Sequence, residues 1–266
     1  MNTTTTSEKT VSLGRQMLNK VPEVTVFFWI IKVLATTVGE TAADYLNTTL
    51  GLGLSTTSYV MSALLIVALV VQFATRRYIP TIYWLAVVLI SVVGTLITDN
   101  LAENFGLGLP MLTTLFAILL AVTFAVWFAV ERTLSIHTIV TSGREGFYWL
   151  TVLFTFALGT AAGDLVSERF ALGYLTAAII FGLAIGVIAV LHYVLKVNAV
   201  LTFWLAYILT RPFGASIGDY LSQDKEVGGL GLGSTTTSLI FLGVIAVVVA
   251  FLTVTRKDAT PVEAMS

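Results

Sequence analysis

Eight times along this chain a run of about twenty largely apolar positions, the length a helix needs to cross a hydrocarbon core, is followed by a short polar stretch. The runs fall at 24–45, 57–74, 79–100, 111–130, 147–166, 174–195, 199–221 and 235–254 and predict eight membrane-spanning helices. Odd and even runs differ. The second, fourth, sixth and eighth carry no Asp, Glu, Lys or Arg, whereas the odd runs hold every charge placed inside an apolar span. Charges in hydrocarbon face the interior of a bundle. The odd helices are therefore expected to line the centre and the even ones to face lipid.

Each odd run carries the same skeleton of a tryptophan, nine residues, a glycine, four residues and an aspartate. The members are Trp29/Gly39/Asp44, Trp84/Gly94/Asp99, Trp149/Gly159/Asp164 and Trp204/Gly214/Asp219, with the glycines 55, 65 and 55 residues apart. Beyond each aspartate comes a small-Leu-Gly turn: Gly51-Leu52-Gly53, Gly106-Leu107-Gly108, Ala171-Leu172-Gly173 and, five residues late, Gly231-Leu232-Gly233. The segment Gln223-Asp224-Lys225-Glu226-Val227 accounts for that delay as a polar insertion. The unit is a helical hairpin. Two crossings per unit make every copy enter the membrane in the same direction, so four parallel repeats, near 22–77, 78–133, 146–196 and 198–254, are expected around an axis along the membrane normal. At about 1.5 Å of rise per residue, the glycine lies about 15 Å deeper than its tryptophan, near mid-membrane, and the aspartate about 7 Å beyond. Gly39, Gly94, Gly159 and Gly214 would form a waist, by close helix packing or as hinges, beneath a ring of carboxylates.

Composition strengthens the membrane reading: 57% of residues are hydrophobic and only 11% charged, with a mean hydropathy of +0.93. The fold class expected is all-α integral membrane, with one domain at 22–254 and tails at 1–21 and 255–266. Lys9, Arg15, Lys20, Arg76, Arg77, Arg132, Arg144, Lys196, Arg256 and Lys257 flank the ends that would be cytoplasmic if both termini are inside, against Arg169 and Lys225 on the other side. Basic residues stay inside; the expected topology is N-in and C-in. The tail lacks the apolar core of a cleavable signal, and Val11, Leu13, Met17 and Leu18 either form one face of a surface helix or belong to a frayed end. The chain has no cysteine, which excludes disulfides and thiolate metal sites. His137 and His192 sit near cytoplasmic helix ends and suit a surface role better than metal ligation.

The buried ionisable set is Lys32, Glu40, Asp44, Asp99, Asp164, Arg211 and Asp219. So many acids would not all stay ionised in a low dielectric without a cation or protons. Oxygen-only ligands suit Mg²⁺, Ca²⁺ or Mn²⁺ better than copper(I) or zinc. Asp44, Asp99, Asp164 and Asp219 are the candidate ion and metal ligands, and Glu40 is an added ligand or proton carrier. Its counterparts in the other repeats are Thr95, Thr160 and Ala215. Lys32 and Arg211 are candidate gating counter-ions, each neutralising an aspartate until a cation displaces it; alternatively the two bind an anionic or zwitterionic solute. The tryptophans are expected to anchor at the interface, and Tyr45 and Tyr220, next to aspartates, to pack in the core or to offer hydroxyl ligands. Neither element of an intramembrane aspartyl protease is present, nor a His/Glu zinc motif, Ser/His pairing or phosphate loop; no enzyme activity and no cofactor is expected.

With Lys32, Thr36-Thr37-Val38-Gly39-Glu40-Thr41-Ala42-Ala43-Asp44 and its three echoes in view, the chain resembles a family of small bacterial multi-pass proteins known only as uncharacterised membrane-anchored proteins. The resemblance spans all eight helices and implies a bacterial inner-membrane location. The repeat is also similar in style to manganese and calcium exporters of other families, whose Glu-x-Gly-Asp pattern is absent here. The function expected is transport of a cation, foremost efflux of a divalent metal such as manganese. A proton-coupled carrier of a small organic or anionic solute and a structural or sensory module stay open. The partners expected are the lipid bilayer and the cation or protons, with a homo-oligomer open and no nucleic acid.

Overall fold

The structure, a computed structural model, describes residues 19–259. The surface-helix face at Val11, Leu13, Met17 and Leu18 lies outside them. Among the described residues the regular structure is entirely helical. The long helices are α1 (Val26–Asp44), α2 (Leu54–Ala74), α3 (Pro80–Asp99), α4 (Leu109–Glu131), α5 (Ser142–Asp164), α6 (Tyr174–Tyr193), α7 (Ala199–Ser222) and α8 (Ser234–Thr255). All eight are long and apolar enough to cross a membrane. This is a multi-pass membrane protein.

Local sequence sets the helix ends. Pro80 opens α3 and Pro110 the first turn of α4, positions where a missing N–H costs nothing. Asn198 caps α7, its side-chain oxygen accepting from the Val200 and Leu201 N–H groups at 3.0 and 3.1 Å. In the first three repeats the helix does not stop at the aspartate. The backbone widens immediately after it into π-helical segments, Tyr45–Thr49, Asn100–Asn104 and Leu165–Arg169. The fourth repeat differs: α7 stays α-helical to Ser222, and the inserted polar stretch forms a short 3₁₀ turn, Lys225–Val227. Its loop folds back, with the Leu230 and Leu232 N–H groups donating to the Tyr220 and Leu221 carbonyls.

The odd helices α1, α3, α5 and α7 pack against one another in a closed order, α1 on α3, α3 on α5, α5 on α7 and α7 on α1. Each even helix lies mainly against the odd helix of the following repeat: α2 on α3, α4 on α5, α6 on α7 and α8 on α1. Between 50 and 72% of the apolar span is buried in the odd helices, but only 22 to 28% in the even ones. Val70, Leu183 and Val247 on the outer helices turn large apolar side chains outward, as a lipid-facing surface requires.

The four glycines close this order. A Cβ on Gly39 would strike the Ser91 side chain, on Gly94 that of Phe156, on Gly159 the stem of Arg211, and on Gly214 that of Thr36. Ser91, Phe156, Arg211 and Thr36 all occupy one position, three residues before their own glycine. Each glycine thus receives the same-register side chain of the next repeat, and the fourth receives that of the first. Without a Cβ the backbones approach closely enough for hydroxyls to bridge helices. Thr37 Oγ1 donates to the Gly214 carbonyl at 3.0 Å and Thr98 Oγ1 to the Ala157 carbonyl at 3.1 Å. Separately, Ser238 Oγ on α8 donates to Thr41 Oγ1 on α1 at 2.7 Å.

The tryptophan end of the bundle is filled by aromatic rings. Trp84, Trp149 and Trp204 are buried inside the protein, at 1, 3 and 4% exposure, and Trp204 Nε1 donates to the Leu134 carbonyl at 2.9 Å. Interfacial anchoring does not describe these three. Their helices are central, so an indole at this level meets a neighbouring helix before it meets lipid. Trp29 alone of the four repeat tryptophans is half-buried.

Polar contacts close the same end. Lys20 Nζ pairs with Glu145 Oε2 at 2.7 Å and donates to the Phe73 carbonyl at 3.0 Å; Gln72 Nε2 donates to Glu145 Oε1 at 3.1 Å. The Tyr78 hydroxyl donates to Asp258 Oδ2 at 2.5 Å. Burial pushes the Asp258 carboxyl above its ordinary range, and burial with the facing carboxyl pushes the Tyr78 hydroxyl up. A folded-state affinity for protons above the unfolded one stabilises docking fully below the ordinary carboxylate range, near pH 4. That contribution is lost as pH rises through the raised value. A nitroxide label replacing Ala259 is expected to gain mobility as pH rises through this window, with the change abolished in Asp258→Asn. Mobility falling with rising pH would contradict the assignment.

Candidate functional site

The register that seats the glycines also stacks side chains along the centre at every fourth residue. From the tryptophan end the levels are Phe28, Tyr83, Tyr148 and Phe203; then Lys32, Val87, Val152 and Tyr207; then Thr36, Ser91, Phe156 and Arg211; then Glu40, Thr95, Thr160 and Ala215; and last the four aspartates.

Arg211 is the hub. It is fully buried and reaches all three other motif helices. Its Nη2 donates to Glu40 Oε2 at 3.0 Å, to Thr160 Oγ1 at 2.7 Å and to Thr95 Oγ1; Nη1 donates to the Thr36 carbonyl at 2.6 Å and Nε to the Phe156 carbonyl at 3.4 Å. The polar partners Glu40, Thr95 and Thr160 share one register position, one residue after the glycine. In the fourth repeat that position is Ala215, on the helix that already contributes the guanidinium. A planar fork of donors suits such a set better than an ammonium.

The acids gather beyond this layer. One carboxylate oxygen each from Glu40, Asp164 and Asp219 lie within 4.8 Å of one another. Oxygens bound to one hard ion at about 2.0–2.6 Å are at most roughly 4–5 Å apart, so this group has the dimensions to touch a single cation. Glu40 and Asp219 are buried and Asp164 is half-buried. Asp44 and Asp99 stand outside the group. Asp44 Oδ2 accepts from Gln223 Nε2 at 3.5 Å, and Asp99 lies within electrostatic reach of Glu40, Asp44, Glu103 and Arg211. Of the expected ring of four aspartates with an added glutamate, Glu40, Asp164 and Asp219 thus converge, and Asp44 and Asp99 are not part of that group.

The two bases part company as well. Arg211 pairs with Glu40 at 3.0 Å. Lys32 is buried, its Nζ has no hydrogen-bond partner among the described residues, and it lies 3.8 Å from the Phe156 ring centre and 4.1 Å from that of Tyr207. It meets π-faces where an acid was expected. His192 Nδ1 shares a 2.9 Å hydrogen bond with Thr202 Oγ1, and His137 Nδ1 lies 3.6 Å from Glu23; neither histidine belongs to the group of Glu40, Asp164 and Asp219. An apolar cavity of about 460 Å³ between α1, α6 and α7, lined in part by Trp29, Phe203 and His192, lies beside the tryptophan end.

Sequence reading missed Thr95 and Thr160 as partners of the guanidinium, and the ring pair around Lys32. The first was legible in principle, since two of the three counterparts of Glu40 carry hydroxyls. The second was not, because Phe156 and Tyr207 look like core residues until their faces are placed.

A family described as Repeat of Unknown Function (DUF347) matches the chain at residues 27–78, 82–133, 147–198 and 202–258. The chain belongs to this family. Each matched DUF347 segment contains one complete tryptophan, glycine and aspartate skeleton. No curated protein and no solved structure matches the chain.

Proposed function

We propose that the protein carries a hard divalent cation such as Mn²⁺ outward across a bacterial inner membrane, through a site made by Glu40, Asp164 and Asp219. Asp44 and Asp99 line its outer approach. In this reading the four repeats are parallel hairpins around an axis along the membrane normal, with the tryptophan end in the cytoplasm. That orientation is supported by Lys20, Arg76, Arg77, Arg132, Arg144, Lys196, Arg256 and Lys257, which cluster at the tryptophan end. The cyclic seating of each glycine on the next repeat supports the arrangement.

The observation that carries the reading is the sharing of Glu40. The carboxylate that completes the ion-sized acid group is also the one that neutralises Arg211. A cation drawing Glu40 onto itself competes with the guanidinium for that carboxylate. Removing one partner from a buried pair costs about 3–5 kcal/mol, and a doubly charged ion against three carboxylates offsets that cost. Arg211 keeps its two threonine hydroxyls and two carbonyls when Glu40 leaves, so the waist slackens without coming apart. The buried rings of Phe28, Tyr83 and Tyr148 close the tryptophan end meanwhile. Occupancy of the acid group and tension at the waist are thereby linked.

Calorimetric titration of the purified protein with Mn²⁺ tests this. The expected result is one bound ion per chain, with affinity reduced about 10- to 100-fold in Asp164→Asn and Asp219→Asn and unchanged in Asp224→Asn, whose side chain is exposed on the inserted loop. Absence of binding, or equal binding by all variants, would contradict it. The unpaired Lys32 amine favours one second reading, a proton-coupled carrier taking an anionic solute between Lys32 and Arg211. That reading predicts solute binding insensitive to Asp164→Asn.

A further inference from the structure

We propose that Lys32 is the binding site for a coupling proton exchanged for the cation, and that the hydroxyls of Tyr207, Tyr148 and Tyr83 connect it to the tryptophan end. This rests on the cation reading above. Lys32 is the charged group at the centre that no carboxylate matches among the described residues, because Glu40 is engaged by Arg211. Two ring faces support the ammonium through cation–π attraction, while the dry enclosure suits the neutral amine. Such a place accepts either form. Lysine gives up its proton in a buried site whereas arginine does not, so of the two central bases only Lys32 can cycle.

The groups that face it fit this role. From α7 come Tyr207 and Arg211; from α5 comes the Phe156 ring; α3 places the apolar Val87 at the same level. The tyrosine hydroxyls are not needed for packing. At the level of Tyr83 and Tyr148 the other two repeats carry Phe28 and Phe203, and at the level of Tyr207 two carry valine. Yet the Tyr83 and Tyr148 hydroxyls meet at 2.5 Å in full burial. The Tyr207 hydroxyl lies within interaction range of Tyr148 without a hydrogen bond of regular geometry. Tyr83 in turn stacks edge-on against Tyr78, whose hydroxyl holds Asp258 at the surface.

The step balances simply. Lys32 Nζ stands over the Tyr207 ring face with no hydrogen bond to its hydroxyl, so the line takes one bridging water there; each hydroxyl and that water takes one proton on one side and releases its own on the other, so one proton reaches or leaves the Lys32 nitrogen and no hydroxyl is changed. A charged Lys32 stands beside the like charge of Arg211. Repulsion presses the guanidinium toward Glu40, which then competes with the cation. Proton on Lys32 and cation on the acids therefore exclude one another.

The test is flux in proteoliposomes carrying an internal Mn²⁺ indicator and a pH indicator. Mn²⁺ movement is expected to drive protons the opposite way, and the proton flux to fall about 100-fold in Lys32→Arg, which keeps the charge but cannot release it, and in Tyr148→Phe, which keeps the ring. Retention of coupled proton flux in either variant, or Mn²⁺ flux without protons in the wild type, overturns the proposal. If the wild type moves no Mn²⁺ but conducts protons under an imposed potential, and Lys32→Arg loses that conduction, the cation reading fails and the proton site stands. If neither ion moves, both fail.

Discussion

Replacing Arg211 by methionine is expected to cost about 3–5 kcal/mol of stability. The guanidinium is fully buried and bonds to all three other motif helices. Methionine fills much of the stem's volume but leaves Glu40 as a buried carboxylate with no cation, and two threonine hydroxyls without their shared donor. The penalty comes mainly from that stranded charge rather than from lost attraction, so Arg211→Met/Glu40→Gln should recover most of it. Arg211→Lys should not, since one ammonium cannot reach acceptors on three helices at once. Thermal unfolding in nanodiscs, followed by circular dichroism, reads these differences. A single variant within about 1 kcal/mol of wild type would show that the hub does not hold the bundle.

The second large effect is at the glycines, where a single methyl group should act in opposite directions according to place. Gly39→Ala drives a Cβ into Ser91, and Gly214→Ala into Thr36 and the Val33 carbonyl. Neither neighbour can withdraw, because each is itself seated between central helices. A cost of about 1–3 kcal/mol is expected for each, as for other overpacked sites. Gly39→Ala combined with Ser91→Gly should restore much of the loss by returning the missing space to the same contact. Gly186 and Gly243, on α6 and α8, face open space; Gly186→Ala and Gly243→Ala should raise stability slightly through helix propensity, by up to about 1 kcal/mol. Equal responses at inner and outer glycines would remove the argument for a close-packed waist.

The eight helices were legible because membrane spans are written as uninterrupted apolar length, which tertiary context does not alter. The central position of the odd helices was legible for a related reason: charge in hydrocarbon has few places to go. What the pattern could not carry was direction around each helix. Trp84, Trp149 and Trp204 sit at the level an interfacial anchor would occupy, but they point inward, and depth alone does not distinguish the two. The same limit hid the pairing of Arg211 with Glu40. Counting acids and bases puts both near mid-membrane but cannot say that the guanidinium crosses the centre while the ammonium of Lys32, one turn lower, lies between Phe156 and Tyr207. The π-helical widening after Asp44, Asp99 and Asp164 had no signal at all; there the turn bonds back onto the widened segment, Leu52 N–H to the Leu46 carbonyl, Leu107 N–H to that of Leu101 and Gly173 N–H to that of Ser167. The exception in the fourth repeat did have one, the five-residue polar insertion after Ser222.

Sharing of Glu40 between a guanidinium and a cation is the centre of the functional account, and a crystal structure with Mn²⁺, located by its anomalous scattering, tests it most directly. The account predicts one ion bound by oxygens of Glu40, Asp164 and Asp219, with Glu40 drawn away from Arg211 and the guanidinium still held by Thr95 and Thr160. An ion elsewhere, or one at the acids with the Glu40–Arg211 pair intact, would contradict it.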